Sequence, residues 1–571
     1  MKLLSPVACC TLSLLLPLFG CHGASDEEKL RAFITTYLEQ MEPLMKSQAL
    51  AEWNSNATGE QKYYNEMAAA ELRIRTIRSN PSDFAFLKTL KEKGLVKDSL
   101  LQRHLIILFN DFARNQVDTA ILRVLTEKQS AVAMAFNTNR GTLAGVVKSD
   151  NELQQILSVE RNQDRRRAAW EALKQVGKKV APMLIDLAKL RNQIARQLGF
   201  ENYYMMMLAT DEQDPGEVLK VFDELATLTE APFLSVKQSL DGELAKRFGI
   251  APARLRPWHY EDQFFQEAPT GEGTNLDLLV RGKNVEAVAR HFFSGIGLQA
   301  DDILDRSDLI PRVGKYQHAY EVDIDRQGDV RTMCNLSDNI YWLGTLLHEL
   351  GHGVYSKNVD RSLPFLLRIE AHSLVTEAIA KLFENQARNE EWLSAMIGLG
   401  KYDPAAIRAA GEAQQRMDGI IFSRWSQVMM RFERALYENP DKDLNTLWWD
   451  LVEKYQRISR PEGRNEADWA AKIHFAQYPC YYHNYMLGRL ATSQILNALN
   501  KKVHQQEHTV EFSFAGLPAV GSYLKTNIFA PGLRLHWNDL LKQATGEGLT
   551  ARYFTEQYCT EVGQTRAAKP H

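Results

Sequence analysis

Five consecutive residues in the second half of the chain, His348-Glu349-Leu350-Gly351-His352, constrain its structure more than any other feature. Two histidines four positions apart project from the same face of an α-helix, within reach of one metal ion. The glutamate after the first histidine can then act on a water molecule at that ion. The pattern HExxH is typical of zinc peptidases. The alternative is a buried helix that carries two histidines by chance.

The residues around this motif have the periodicity of a helix. Over residues 341–356 the apolar side chains fall on one narrow face, and both histidines point in roughly the opposite direction. The apolar set is Leu343, Leu346, Leu347, Leu350 and Val354. The pattern predicts a helix with one face in the core and the other facing a cleft.

The first residues of the chain are typical of a targeting segment. Lys2 gives a positive start, residues 3–19 are largely apolar, and Cys21 follows in a context that resembles the lipobox of bacterial lipoproteins. We expect residues 1–20 to be a lipoprotein-type signal peptide. The protein would then be exported and anchored through lipidated Cys21, in the periplasm or on the cell surface. Ordinary secretion, with cleavage near Gly23 or Ala24, is the alternative.

The remaining chain, residues 21–571, is expected to form a single domain of two helical halves. The full sequence of 571 residues has 45% apolar and 24% charged residues, which suits a large buried core. Helix-forming stretches follow one another, and Gly94, Gly177 and Gly199 are each expected to end a helix. The net charge is −3, with no basic tract, so a nucleic-acid partner is not expected.

A change of periodicity just before the HExxH helix predicts a small β-hairpin. Residues 318–325 alternate and are rich in β-formers, residues 326–329 make a turn, and residues 330–336 return as a second strand. An edge strand of this kind can hold an extended peptide through backbone hydrogen bonds, which do not depend on the peptide's side chains. The chain is therefore predicted to be mainly α with a minor β element.

Two histidines leave a catalytic zinc site one protein ligand short. An extended HExxHxxGxxH pattern would need glycine at 355 and histidine at 358, where the chain has Tyr355 and Asn358. A glutamate after eighteen intervening residues would fall on Ala371, and Glu370 is one place off. Glu377, which lies twenty-five positions after the motif in a helical run, is the better candidate.

Several motifs together resemble the M2 family of zinc dipeptidyl carboxypeptidases, the family of angiotensin-converting enzyme, and less closely the M3 oligopeptidases. The similarity covers roughly residues 258–485 and is looser in the N-terminal helices. It rests on HELGH at 348–352, TEAI at 376–379, WW at 448–449, KYQ at 454–456, and AKIH at 471–474 with the tyrosine-rich run that follows.

This resemblance implies one zinc ion per chain, bound by His348, His352 and Glu377. Glu349 would take a proton from the attacking water and pass it to the leaving amine. Tyr485 resembles the family's tyrosine that stabilises the oxyanion of the transition state.

His474 resembles the histidine that supports this tyrosine. Because the loop at 478–479 differs slightly in length from the family's, Tyr482 and Tyr485 could exchange roles. Core packing is the alternative interpretation for all three side chains.

The resemblance also implies a site for the free carboxylate of a peptide. Lys472 matches the family's lysine for that task, with Tyr482 as its hydroxyl partner. The family's third residue is a glutamine two positions after a tryptophan, but here Tyr260 stands two positions after Trp258. This substitution weakens the prediction of strict dipeptide release.

Two further pairs of residues are placed by the resemblance. His318 and Ala319, on the first predicted strand, would hold the substrate backbone. Val452 and Asn484 stand where the family's animal members have the arginines through which chloride activates them, so strong chloride activation is not expected.

The fold implied is a large, two-lobed helical peptidase of the gluzincin type, with a deep central cleft that excludes folded proteins. The expected function is hydrolysis of short peptides with release of C-terminal dipeptides. An M3-like oligoendopeptidase is one alternative. A zinc-stabilised, peptide-binding lipoprotein without turnover is the other.

Overall fold

The computed structural model describes residues 24–269 and 275–559. The predicted signal peptide and Cys21 lie outside the described residues. Within those two ranges, no helix combines the length and the apolar character needed to cross a bilayer.

Helices dominate the described chain, and the prediction of a mainly α fold is confirmed. The N-terminal part contains α1 (Asp26–Thr58), α2 (Gln61–Arg78), α3 (Pro81–Glu92), α4 (Ser99–Ala113), α5 (Thr119–Thr138), α6 (Asp150–Val159), α7 (Gln163–Gln197), α8 (Tyr203–Thr210) and α9 (Pro215–Phe248). The remainder contains α10 (Asp277–Val280), α11 (Val285–Gly295), α12 (Asp301–Arg306), α13 (Ile340–Asn358), α14 (Ser373–Glu384), α15 (Glu390–Met396), α16 (Pro404–Glu438), α17 (Leu444–Gln456), α18 (His474–Gln477), α19 (His483–Leu499), α20 (Pro518–Leu524), α21 (Trp537–Thr545) and α22 (Arg552–Cys559).

The predicted hairpin is present but shorter than the sequence suggests. Its strands, β3 (Tyr320–Asp323) and β4 (Val330–Met333), pair antiparallel with Tyr320 opposite Met333. The second strand ends early because residues 334–336 pair elsewhere. The amide of Cys334 donates to the carbonyl of Asp308, and the amide of Leu336 donates to that of Leu309.

A second hairpin was not predicted. Strands β1 (Gly141–Leu143) and β2 (Val146–Lys148) are joined through Ala144 and Gly145, which have φ of 50° and 78°. Each strand has only three residues, which is too short for an alternating pattern to be recognised in the sequence.

The prediction that Gly177 ends a helix is wrong, because α7 continues through this residue. A Cβ atom at Gly177 would lie 2.2 Å from the carbonyl oxygen of Ala467, so this glycine permits a distant segment to approach the helix. The predictions for Gly94 and Gly199 are confirmed, since both follow helix ends with φ of 58° and 88°.

Helix α13 carries the HExxH motif and lies in the main hydrophobic core. The Asn339 side chain caps its start by accepting a hydrogen bond from the amide of Trp342. The predicted apolar face is fully buried, which contributes roughly 1.5–3 kcal/mol for each large side chain. Its members are Leu343, Leu346, Leu347, Leu350 and Val354. This burial fixes the rotation of the helix and directs both histidines away from the core.

Candidate metal centre and substrate cavity

Helices α13 and α14 bring three candidate metal ligands together. Donor atoms of His348, His352 and Glu377 all lie within 4.8 Å of one another. The Nε2 atoms of the two histidines are 3.3 Å apart, and that of His348 is 3.7 Å from Oε2 of Glu377. No other set of three such side chains occurs within residues 24–269 and 275–559.

Hydrogen bonds at the opposite ring nitrogens orient both histidines. Nδ1 of His348 is 3.0 Å from Oε2 of Glu384, and Nδ1 of His352 is 2.7 Å from Oγ1 of Thr376. These partners fix the ring orientations, so that both Nε2 atoms point toward Glu377. Burial acts to raise the pKa of Glu384. The charge of Lys381 and the hydrogen bond from His348 outweigh burial and hold this pKa well below its usual range. Glu384 thus remains an acceptor.

The donor set fits a zinc ion. Two imidazole nitrogens and one carboxylate are the protein ligands of many catalytic zinc sites, which leave a position open for water or substrate. The second nitrogen of each histidine already has a partner, as is usual for ligands of this metal.

Glu349 lies next to this group on α13 and is 7% exposed. Burial raises the pKa of its carboxyl group to about 7, with the charge of His348 opposing this effect. A carboxylate with that pKa can take up and release a proton near neutral pH.

The metal ligands open onto a cavity of about 640 Å³. His348 and Glu377 line it together with residues from α14, α16, α19 and the segment at 266–268. Lys472, His474, Tyr482 and Tyr485 line the same cavity. Four residues that were predicted to act on a substrate are thus assembled beside the metal ligands.

Lys472 has a partner that the sequence analysis missed. Its Nζ atom donates to Oε1 of Gln266 at 2.6 Å, and the Tyr482 hydroxyl is 3.5 Å from the same oxygen. Gln266 lines the cavity eight positions after Trp258, instead of two. A lysine, a glutamine and a tyrosine therefore form one polar group on the cavity wall. The sequence signal, a glutamine shortly after a tryptophan, is present, but the two residues are farther apart than the resemblance implies.

The prediction for Tyr260 is corrected by the same observation. Tyr260 is 2% exposed and is not among the residues that line the cavity. Its hydroxyl donates to Oδ1 of Asp241 at 2.9 Å and accepts from Nζ of Lys237 at 2.8 Å. Its ring packs against Phe265. Tyr260 belongs to the buried packing around α9.

His474 and the two tyrosines form a cluster of rings. The ring of His474 lies 4.9 Å from that of Tyr482 and 6.3 Å from that of Tyr485. Nε1 of Trp425 donates to the Tyr482 hydroxyl at 2.7 Å, whereas Tyr485 is half-buried in the cavity wall. Burial and the charge of Glu377 raise the pKa of Tyr485 to about 12. The Tyr485 hydroxyl therefore stays protonated at neutral pH.

His474 is neutral at physiological pH. Burial and the charge of Lys472 lower its pKa to about 3. Its Nδ1 atom is buried without a hydrogen-bond partner among the described residues. The ring can therefore present a hydrogen bond without adding charge.

The structure does not bring His318 and Ala319 into this cavity. Strand β3 begins at Tyr320, so both residues precede the strand on which they were predicted to lie. His318 is exposed and its ring packs against Tyr316. Their contact with a substrate backbone stays a prediction.

Val452 and Asn484 stand at the positions of the family's chloride-activation arginines, and both are buried. Oδ1 of Asn484 accepts from Nε2 of Gln213 at 2.6 Å, and Val452 is part of the main core. Neither side chain carries a charge, and weak chloride dependence stays a prediction.

Comparison with known proteins identifies relatives over most of the chain. The family model Peptidase_M2, described as angiotensin-converting enzyme, matches residues 24–243 and 281–559. Angiotensin-converting enzyme of Rattus norvegicus is 24% identical over 452 residues, which cover 73% of this chain and 34% of the rat protein. That of Mus musculus is 23% identical over 584 residues, covering 93% of this chain and 43% of the mouse protein. The chain thus spans less than half the length of these two relatives.

A bacterial relative is matched over more of its own length. Carboxypeptidase 1 of Bacillus subtilis (strain 168) is 23% identical over 419 residues, which cover 68% of this chain and 75% of that protein.

Proposed function

This chain belongs to the Peptidase_M2 family, the family of angiotensin-converting enzyme, and from that premise we propose that it is a zinc metallopeptidase that releases C-terminal dipeptides from short peptides. One observation carries the proposal. The candidate ligands His348 and Glu377 and the polar group of Lys472, Gln266 and Tyr482 line the same cavity. A peptide can therefore place its terminal carboxylate on Lys472 while an internal peptide bond lies beside the metal ligands.

Substrate binding is the task of the polar group. The ammonium of Lys472 attracts the terminal carboxylate, and the Gln266 amide and the Tyr482 hydroxyl can each donate a hydrogen bond to it. Lys472 is 8% exposed, so the interaction takes place where water screens it weakly. This contact fixes the distance between the chain end and the bond that is cut.

Proton transfer is the task of Glu349. A zinc ion held by His348, His352 and Glu377 would supply the positive charge that polarises a carbonyl group and acidifies water. Glu349 takes the proton of the attacking water and delivers it to the leaving amine. Burial disfavours the charged form of Glu349, which favours uptake of a proton by its carboxylate.

Charge that develops on the carbonyl oxygen is stabilised by hydrogen bonds. The protonated hydroxyl of Tyr485 and the neutral ring of His474 face the cavity beside the metal ligands. Donors that are already oriented lower the barrier because they need no rearrangement during the reaction. Tyr482, which Trp425 and Gln266 hold near Lys472, serves the carboxylate instead.

A second candidate is release of single amino acids, which the similarity to Carboxypeptidase 1 favours. Both activities require a free C-terminus, and they differ only in how far the cut lies from Lys472.

The test uses one eight-residue peptide with a free C-terminus and the same peptide with an amidated C-terminus. The zinc-loaded protein is incubated with each, with and without a chelator, and products are identified by mass spectrometry. We expect loss of a dipeptide from the free peptide only, and none with chelator. Loss of a single residue would favour the second candidate. Equal cleavage of both peptides would favour an endopeptidase, and no cleavage would favour a peptide-binding protein.

We also propose that the protein is exported and anchored by lipid at Cys21, on the strength of the N-terminal sequence alone. In bacterial cells, the wild-type chain is expected in the membrane fraction and a Cys21→Ser variant in the soluble fraction. A Cys21→Ser variant that stays with the membrane would contradict the anchor. Mass spectrometry of the N-terminal peptide identifies the lipid directly.

A further inference from the structure

The cavity contains more charge than catalysis and carboxylate binding require. Four cations line it: Lys381, Arg388, Lys472 and Arg489. Four carboxylates line it as well: Glu267, Glu377, Glu384 and Asp418. Which of these groups are already paired determines what a substrate side chain meets there.

Three of the four cations already have partners within the protein. Nζ of Lys381 lies 2.6 Å from Oε1 of Glu384, and Nη1 of Arg388 lies 3.0 Å from Oδ2 of Asp418. Lys472 donates to Gln266 as described above.

The fourth cation, Arg489, forms no ion pair and no side-chain hydrogen bond with any residue in the described ranges. Its guanidinium is held by an aromatic ring instead, with Cζ 4.2 Å from the centroid of Phe422. A guanidinium that lines a cavity with its donors unused is available for a ligand.

The position of Arg489 connects it to the carboxylate-binding group. Tyr482 is the N-cap residue of α19, Tyr485 follows three residues later, and Arg489 follows four residues after that. At these spacings the three side chains project from the same side of the helix. The Phe422 ring, which supports Arg489, also stacks with the Tyr482 ring at 6.2 Å and an angle of 26°. One row of contacts therefore leads from Lys472 through Tyr482 and Phe422 to Arg489.

This row of contacts is where the side chain of a peptide's last residue would lie. That residue's α-carboxylate is bound by Lys472 and Tyr482, so its side chain starts next to the Tyr482 ring. Arg489 is partly buried, which limits screening of its charge. Two carboxylates of the cavity, Glu267 and Glu377, could compete for Arg489. Glu377 is a candidate metal ligand, and Glu267 is exposed, so water screens its charge.

We propose that Arg489 selects peptides whose C-terminal residue is aspartate or glutamate. The proposal rests on the proposed function, because it assumes that Lys472 binds the peptide's α-carboxylate. The side-chain carboxylate would accept two hydrogen bonds from the guanidinium, a geometry that a neutral amide or an ammonium cannot reproduce.

The test compares quenched fluorescent peptides that differ only in their last residue, which is glutamate, glutamine or lysine. For the wild-type protein we expect kcat/KM to be about tenfold higher with glutamate than with glutamine, and lowest with lysine. Arg489→Gln should bring the glutamate-to-glutamine ratio close to one. Arg489→Glu should invert the order and favour lysine.

Two control variants separate this effect from general loss of charge. Arg123→Gln removes an exposed arginine that pairs with Glu127 on α5, far along the chain from the cavity helices, and should leave the ratio unchanged. Glu267→Gln should also keep the preference for glutamate. Loss of the preference in either control, or its survival in Arg489→Gln, would overturn the proposal.

Failure of the proposal can be distinguished from failure of the proposed function. Binding of the dipeptides Leu-Glu and Leu-Gln to the zinc-loaded Glu349→Gln variant is measured by calorimetry, which requires no turnover. Tighter binding of Leu-Glu that depends on Arg489 supports the proposal even if no peptide is cut. Equal binding of the two dipeptides overturns it, even if the protein is an active peptidase.

Discussion

At the scale of single residues, the site depends on groups whose protonation is set by their surroundings. Burial raises the pKa of Glu349 to about 7, whereas burial and the charge of Lys472 lower that of His474 to about 3. A proton acceptor and a neutral hydrogen-bonding ring therefore lie near one cavity. Each shift has the sign that its proposed role requires.

Replacement of Glu349 by glutamine should separate metal binding from catalysis. The amide has the size of the acid but cannot take up the proton, so kcat is expected to fall by roughly 10²–10⁴. The three ligands are untouched, and zinc content measured by atomic absorption should stay at one ion per chain. Unchanged turnover would exclude Glu349 as the base. Loss of zinc from the variant would contradict the prediction that Glu349 is not a metal ligand.

The charge of Lys472 gives a second prediction, on pH. Burial lowers the pKa of Lys472 to about 8, although the charges of Asp262 and Glu267 oppose this effect. The Lys472 side chain is therefore mostly charged at pH 7, and it loses its positive charge as the pH rises through about 8. Affinity for dipeptides is expected to fall above pH 8, as measured by their inhibition constants across the pH range.

Lys472→Arg tests the cause of this pH dependence. Arginine stays charged throughout, so the alkaline loss of affinity should move to higher pH even if affinity itself is weaker. Lys454→Arg, an exposed lysine on α17, is the matched control and should keep the wild-type profile. Identical profiles for the wild type and Lys472→Arg would show that another group titrates.

At the scale of elements, the metal ligands depend on how closely α13 approaches α14. A Cβ atom at Gly351 would lie 2.8 Å from Cα of Ala380 and 3.1 Å from Cδ2 of Phe383. The helices can therefore touch only because glycine stands inside the HExxH motif. Since the histidines are on α13 and Glu377 is on α14, this contact sets the spacing of the three donors.

Gly351→Ala is expected to push the two helices apart. Overpacking of this kind costs about 1–3 kcal/mol in the free energy of unfolding, and it should also weaken zinc binding. Denaturant unfolding measures the first effect, and competition with a zinc indicator measures the second.

Gly242→Ala is the matched control, because a Cβ at this position on α9 would have no atom within 4 Å beyond its chain neighbours and the adjacent backbone of its own helix. Better helix propensity should make that variant more stable by about 0.4–1 kcal/mol without changing zinc affinity. A Gly351→Ala variant with wild-type stability and zinc affinity would show that the helices can absorb the methyl group.

At the scale of the whole molecule, a zinc ion would join two helices of the main core. Binding to the folded state alone stabilises it by about 2.7 kcal/mol when free zinc is one hundred times its Kd. Removal of zinc by a chelator is expected to lower Tm, and zinc added back should restore it. Differential scanning fluorimetry measures both changes.

The control is His348→Ala, which lacks one ligand, and its Tm should respond much less to zinc. An equal response in the wild type and in His348→Ala would indicate that zinc binds elsewhere on the protein. The same comparison shows whether the effect of the chelator arises at this site.

Features that arise from short-range spacing could be predicted before the fold was known. Helical periodicity placed the HExxH motif on one side of α13, opposite a buried face, and the structure has this arrangement. Spacing and resemblance also selected Glu377, which the structure brings to the two histidines. Such predictions succeed because 3.6 residues per turn relate sequence position directly to direction in space.

Features that depend on contacts between distant segments became visible in the three-dimensional structure. It replaced Tyr260 by Gln266 beside Lys472, and it assigned Gly177 to a close approach by Ala467. It also showed which cations of the cavity form ion pairs, and that Arg489 forms none with a residue in the described ranges. These outcomes rest on loop paths and on packing across hundreds of residues. Local propensity and spacing carry no information about either, because the contacts exist only when the whole chain has folded.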